Sequence, residues 1–218
     1  MKQFIHDITH FQWQDGQAAF VGQDGKVILT FLNPLCVKVE YRFEGAEIKP
    51  LSENASRWIL SGASSSRTCE ISDHGDFFLA EAENGLSVQV EKRRALVSVL
   101  YKGQLVHGGA FRNPDLVVPA YPVRLLKDGQ HLVARFNFPA EPEDEFYGLG
   151  DKGGLPNRRG RRFSMFNRDS LGYDAANSDP LYKSIPFYLK INRKAQSLCG
   201  VLFPETLIRV MDFGRNNL

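Results

Sequence analysis

The sequence predicts an all-β protein, an antiparallel two-sheet β-sandwich spanning residues 1–218 as a single domain. Three observations predict it. Apolar and polar residues alternate with period two in four separate segments, which gives each segment one apolar face as a strand. Turn-forming clusters separate the segments at roughly ten-residue intervals, the spacing of sandwich strands. No window of a dozen residues carries a 3.6-residue apolar stripe, so the order is not an alternating β-α-β one. A barrel is the alternative architecture.

The elements follow in chain order. "KVILTFL" (26–32) is a short apolar run rich in β-branched residues. Val37, Val39, Tyr41 and Phe43 then alternate with Lys38, Glu40, Arg42 and Glu44, four apolar side chains against four charges. "RWIL" (57–60) and "DFFLA" (76–80) are shorter runs. Leu86, Val88 and Val90 alternate with Ser87, Gln89 and Glu91, and "ALVSVLY" (95–101) follows. Leu132, Ala134, Phe136 and Phe138 alternate with Val133, Arg135 and Asn137. Phe187, Leu189 and Ile191 alternate with Tyr188, Lys190 and Asn192, and the chain closes with "GVLF" and "IRVMDF". "QDGK", "NPL", "ENG", "YKGQ", "KDGQ" and "NRKAQ" punctuate these runs, each rich in residues that favour turns.

Composition bounds the function. With 43% hydrophobic residues the chain can bury a substantial core, and it is not compositionally disordered. A net charge of +2 makes the basic cluster Arg158, Arg159, Arg161 and Arg162 local, without the broad positive field of a nucleic-acid binder. A solvated loop whose arginines pair with nearby acids is the expectation there. The three cysteines, Cys36, Cys69 and Cys199, are far apart and odd in number, which disfavours a disulfide framework and favours a reducing compartment. The N-terminus lacks a continuous apolar stretch, and no run approaches the ~18 apolar residues of a membrane span. A soluble, cytoplasmic protein with no membrane and no nucleic-acid partner is expected.

Gly148, Gly150 and Gly153 match G-x-G-x-x-G, the dinucleotide fingerprint. That motif needs a buried strand before it and a helix after it, whose N-terminus holds the pyrophosphate. Here "PAEPEDEFY" precedes it, with two prolines and four acids, and the Gly- and Pro-rich "GLPNRRGRR" follows. The better reading is a turn whose glycines supply positive φ angles. "EPEDE" (141–145) also marks a change of character, after which residues of about 148–184 are rich in Gly, Asn, Asp, Arg and Tyr. So long an irregular stretch is uncommon in a compact domain unless it is functional.

Within it, "EFYGLGDK", "NRRGRRFSMFNRDSLGYD" and "DPLYKSIPFYL" follow one another in order. This run resembles the N-terminal domain of glycoside hydrolase family 31, the α-glucosidases, α-xylosidases and their relatives. The resemblance covers the first 140 residues only in pattern, as a sandwich similar to galactose mutarotase. Asp151 stands where Glu is more usual, and Arg168 where a small residue is common. The resemblance implies a retaining α-glycosidase, of α-glucosidase type, acting on an α-linked oligosaccharide or glycoside without a cofactor or metal. Such chemistry needs two carboxyls ~5–5.5 Å apart, and in the family both reside in a following (β/α)₈ barrel. No Trp-x-Asp-Met-Asn occurs in this sequence, so the catalytic barrel is expected to be absent and no catalytic residue is assigned. The chain corresponds to roughly a quarter to a third of a whole enzyme, given a ~250-residue barrel and further β domains. Its implied role is noncatalytic: to support that barrel as an intramolecular partner and supply one wall of the sugar pocket.

The resemblance also implies one substrate-binding residue, Asp169 in "FNRDSLGYD", at the family's substrate-contacting position. A carboxylate can accept charge-assisted hydrogen bonds from two vicinal hydroxyls. The alternative is a turn Asp satisfying backbone N–H groups. Asp174 and Asp179 compete for the role, with Asp174 expected to order the loop. His6 and His10 stand at i, i+4, but they lack a third ligand and helical context, and an exposed N-terminal segment is expected. A mutarotase-type catalyst would need a His with a carboxylate; His74, His107 and His131 are candidates in number, but none stands in a specific motif. Trp58, Phe77 and Phe78 could stack on a sugar, although strand-like runs favour a core role. A stand-alone carbohydrate-binding module and an aldose epimerase are the competing functions.

Overall fold

A computed structural model describes residues 2–14, 16–46, 69–109, 123–129, 131–204 and 209–214. The expected strand "RWIL" with Trp58, the residue Ile208 and the side chain of His131 lie outside the described residues. The described chain is all-β, without a helix, and every strand pairing in it is antiparallel. It divides into two compact units. The first takes the described residues up to 46 and those from 69 to 139; the second takes those from 140 to 214.

The first unit is a sandwich. Strands β1 (Lys2–Gln3), β2 (His6–Gln14), β3 (Gln17–Gln23), β4 (Gly25–Asn33) and β5 (Cys36–Phe43) come first. They are followed by β6 (Glu70–Asp73), β7 (Phe77–Glu81), β8 (Leu86–Glu91), β9 (Val97–Tyr101) and β10 (Gln104–Gly108), then β11 (Val123–Asp128) and β12 (His131–Phe136). One sheet has the order β2-β3-β4-β5, a second β10-β9-β8-β7-β6, and a small third β1-β11-β12. Phe20, Val27, Leu29 and Phe31 from the first sheet and Phe78, Ala80, Val88 and Val90 from the second form one buried cluster. Each fully buried Val, Leu or Phe side chain among them contributes about 1.5–3 kcal/mol through apolar area removed from water. Residues 27–32 of β4 are buried without alternation, that is, on both faces of the sheet, which is why "KVILTFL" reads as a continuous apolar run. The predicted turns close the hairpins. Lys102 (φ 50°) and Gly103 (φ 77°) link Tyr101 to Gln104, the two positive φ angles a type I′ hairpin needs, and Asn33 Oδ1 accepts the Leu35 N–H at 2.9 Å.

Three expectations differ. The N-terminal residues form β2, paired with β3, where the sequence predicts no strand, although the strand is as exposed as expected, with only Ile8 buried; cross-strand partners override a weakly patterned sequence. In β12 the alternation does not yield a buried face: Leu132, Ala134 and Phe136 are exposed along with Val133 and Arg135, and β12 is the last strand of its small sheet. The third concerns β15, below.

The second unit contains β13 (Asp144–Gly150), β14 (Arg162–Met165), β15 (Ser184–Asn192), β16 (Ser197–Leu202) and β17 (Arg209–Asp212), in sheets β13-β15-β16 and β14-β17. Phe146, Leu149, Phe163, Met165, Tyr188 and Met211 form its core. The sequence assigns Phe187, Leu189 and Ile191 to the core face of β15, but the fully buried positions are Tyr188 and Asn192, with Lys190 on their side. The reason is Asp144, a carboxylate 1% exposed. It accepts Asn192 Nδ2 at 2.9 Å and the Glu141 N–H at 2.8 Å, and pairs with Lys190 Nζ at 3.0 Å. A buried carboxylate must be neutralised and hydrogen-bonded, so the polar face of β15 turns inward to meet it. The long irregular stretch is interrupted once, by β14, which leaves 151–161 and 166–183 without strand.

Candidate functional site

The site is built on the glycine-rich turn at the end of β13. A Cβ at Gly148 would stand 2.6 Å from Phe187 O, and one at Gly150 (φ +78°) 2.5 Å from Lys183 O. The glycines therefore allow β13 to press against the start of β15, with a bulge between Gly148 and Gly150. Leu149, between them, holds φ 75° while fully buried, a conformation that costs a non-glycine residue about 1–2 kcal/mol. No helix follows. The G-x-G-x-x-G match is a packing turn, and it delivers Lys152 into the interior.

Lys152 has a side chain 0% exposed. Its ammonium donates to Ser164 O at 2.7 Å, Asp179 Oδ1 at 2.9 Å and Ser184 Oγ at 3.2 Å. Three N–H donors meet three acceptors, so the buried charge is paired and satisfied. Asp179 in turn accepts the Ser164 N–H on Oδ2, and Ser184 Oγ donates to Phe166 O at 3.0 Å. The two ends of the segment 166–183, which leaves β14 and returns into β15, are thus fixed to one ammonium.

Further pairs run along that segment. The Ser184 N–H donates to Asn167 Oδ1 at 2.8 Å, and the Arg168 N–H donates to Leu181 O at 3.1 Å. Ser170 Oγ donates to Pro180 O at 3.1 Å, and Tyr182 OH donates to Ser170 O at 2.9 Å. Asp169 lies between these pinned neighbours. Its carboxylate is exposed and takes no hydrogen bond or ion pair from the described residues. The competing aspartates are both occupied. Asp179 holds Lys152. Asp174 accepts the Ala176 N–H and Asn177 Nδ2, each at 2.8 Å; these bonds, the Asn177 side chain's first, hold its pKa below the usual carboxylate value. Asp174 orders the loop, as the sequence predicts. The segment also exposes Phe166, Leu171, Tyr173 and Tyr182, with Leu171 92% exposed, and the two tyrosine rings meet edge to face at 6.3 Å.

In the arginine cluster Arg159 and Arg162 are exposed as expected, but the hydrogen bonds of the cluster go to backbone carbonyls instead of acids. Arg158 is buried; it donates to Leu155 O at 2.9 Å and Gly148 O at 3.2 Å, and its guanidinium lies over the Phe163 ring. Arg159 donates to Glu141 O and Asp144 O, and Arg161 to Gly153 O and Ala176 O. These guanidiniums cross-link backbone carbonyls that no ladder serves, and burial lowers the pKa of Arg158.

The other candidates are dispersed. His6 meets Asp7 at 2.9 Å and His10 meets Thr9 at 2.9 Å, both on a strand. Among the described residues no group of three or more His, Cys, Asp or Glu side chains is placed to hold a metal. His74 stacks on Phe77 at 4.9 Å, and His107 packs edge-on against Phe138 at 4.5 Å. Phe78 is a core residue. Sequence reasoning missed Lys152 and gave Asp179 no structural role. The available signal was a lone lysine inside the glycine-rich turn and a lone Asp-Pro within the last matched element.

Comparisons with known proteins bear on this arrangement. The model of the glycosyl hydrolase 31 N-terminal galactose mutarotase-like domain matches residues 26–206. Alpha-glucosidase 2 of Bacillus thermoamyloliquefaciens is 34% identical over 70 residues, 32% of this chain and 9% of that protein. A GH31 dextranase of Flavobacterium johnsoniae, solved with glucose, superposes with a TM-score of 0.73 at 22% identity, over 98% of this chain and 24% of the dextranase. A GH31 alpha-xylosidase from a soil metagenome, solved with xylose, gives 0.64 at 17% identity, over 95% of this chain and 30% of that one. The chain therefore spans a minor fraction of the length of each relative, and the structural matches establish a shared fold.

Proposed function

Because the chain belongs to the glycosyl hydrolase 31 N-terminal galactose mutarotase-like domain family, we propose that it is the noncatalytic N-terminal sandwich of a retaining α-glycosidase of α-glucosidase type. In this reading residues 1–218 act as one domain, support a catalytic barrel carried elsewhere in the enzyme, and supply one wall of its sugar pocket. The exposed Leu171, Tyr173 and Tyr182 support a face made for docking, since apolar side chains clustered at a surface mark interfaces. The three cysteines are free, and burial raises the thiol pKa of Cys36 and pushes that of Cys69 up to about 11. Unlinked thiols fit the reducing compartment of a cytoplasmic protein; fractionation of the producing cell that found the enzyme outside it would overturn that part.

The observation that carries the proposal is Asp169: an exposed carboxylate, unspent on its own loop, held between neighbours that are pinned on both sides. It is fitted to accept hydrogen bonds from two vicinal sugar hydroxyls. Hydrogen bonds to a charged group are worth about 1.5–3 kcal/mol, so Asp169→Ala in the enzyme should lower kcat/KM roughly 10- to 150-fold. If the contact is equal in ground and transition states the loss falls on KM; if it strengthens as the ring flattens, kcat falls too. Asp169→Asn keeps size and removes charge. An Asp169→Ala enzyme with unchanged kcat/KM on an α-linked disaccharide would remove Asp169 from the site. The 218-residue chain by itself should not hydrolyse aryl α-glucosides, and a pure preparation that did would refute the noncatalytic assignment.

A further inference from the structure

We infer that Lys152 is a positioning residue for the sugar pocket: its buried ammonium, through Asp179 and the hydrogen bonds of residues 180–182, sets where the Asp169 carboxylate stands. The inference rests on the reading of Asp169 as a sugar ligand.

The route is continuous. Lys152 Nζ binds Asp179 Oδ1 at 2.9 Å. Asp179 leads directly into Pro180, whose carbonyl accepts Ser170 Oγ, and Leu181, whose carbonyl accepts the Arg168 N–H. Tyr182 OH returns to Ser170 O. Each residue flanking Asp169 is therefore tied to a residue that follows Asp179. The outgoing limb is fixed to the same ammonium through Ser164 O and, by way of Ser184 Oγ, Phe166 O. With its three protons committed and its side chain out of solvent, Lys152 has no donor left for a sugar. Its effect on turnover has to pass through the loop. A flexible 18-residue segment would sample many placements of one carboxylate, and a displacement of about 1 Å at a reacting centre can cost a hundredfold in rate.

A double-mutant cycle in the enzyme that carries this domain tests the inference. kcat/KM on an α-linked disaccharide is measured for Lys152→Met, Asp169→Ala and the double variant, with Asp179→Asn as a milder break of the same pair should Lys152→Met fail to fold. Methionine keeps the length and apolarity of the lysine stem. The expected result is a loss of roughly tenfold or more for Lys152→Met or Asp179→Asn alone, and less than about a twofold further loss in the Asp169→Ala background. Hydrogen exchange of the Ser164 and Ser184 amides should accelerate in the same variants. If Asp169→Ala lowers kcat/KM but Lys152→Met leaves it unchanged, or the two losses multiply, Lys152 does not act through Asp169 and the inference is overturned. If Asp169→Ala itself changes nothing, the sugar-ligand reading has failed and takes the positioning role with it.

Discussion

Lys152 Nζ and Asp179 Oδ1 stand 2.9 Å apart, 27 residues distant in sequence, with the lysine side chain out of solvent altogether. Removing one partner of such a pair leaves an unpaired buried charge. Asp179→Ala should therefore destabilise the fold by about 3–5 kcal/mol, a fall in melting temperature of roughly 6–20 °C for a chain of this size. Calorimetry on the 218-residue chain reads this directly. A shift below a degree would mean that the ammonium has found water.

Asp144 anchors the other end of β13 in the same manner, through Asn192, Lys190 and the Glu141 N–H. Asp144→Ala should cost about 3–5 kcal/mol. Asn192→Ala removes one neutral donor to Asp144 and the acceptor of the Ala195 N–H, and should cost about 1–3 kcal/mol. Chemical denaturation of both variants checks the order, and equal losses would contradict it.

Gly150 and Gly160 have similar φ angles, +78° and +73°, yet a Cβ at Gly150 meets the Lys183 carbonyl at 2.5 Å while one at Gly160 meets open space. Gly160→Ala should cost only the backbone term, about 1–2 kcal/mol. Gly150→Ala adds the displacement of β15 and should cost roughly 1–3 kcal/mol more. Equal destabilisation would show that the turn does not press on β15.

The lowered pKa of Asp174 makes its loop acid-sensitive. A carboxyl with a depressed folded-state pKa contributes stability above its unfolded value, ~3.9, and loses it as pH falls through the lower folded value. Protection of the Ala176 amide against hydrogen exchange should thus be full near neutral pH and decline below pH ~4. In Asp174→Asn that acid-dependent decline should vanish. Persistence of the same pH profile in the variant would assign the titration to another group.

The exposed Leu171, Tyr173 and Tyr182 should make the isolated chain prone to self-association, because apolar patches above a few hundred Å² mark interfaces. Light scattering at increasing concentration measures it, and Leu171→Asp should reduce it. A strict monomer at high concentration would count against a docking face.

The sequence by itself determined the fold class, since period-two alternation is a local property: the strand at 86–91 buries Leu86, Val88 and Val90, and in the strand at 37–43 Phe43 is buried while Val37, Val39 and Tyr41 pack half-buried against the same core. It also determined the family and the loop order of Asp174, through residues close together in the chain. Only the tertiary structure decided which face of β15 is buried, because that depends on Asp144, which meets Asn192 across 48 residues. The roles of Lys152 and Asp179 were decided in the same way. A lysine in a glycine-rich turn is solvated by default; only the folding of β14, β15 and the intervening loop around it brings three acceptors to its ammonium. The arginines of 158–161 changed meaning for the same physical reason, since only the folded turn brings the carbonyls they serve within reach of their guanidiniums.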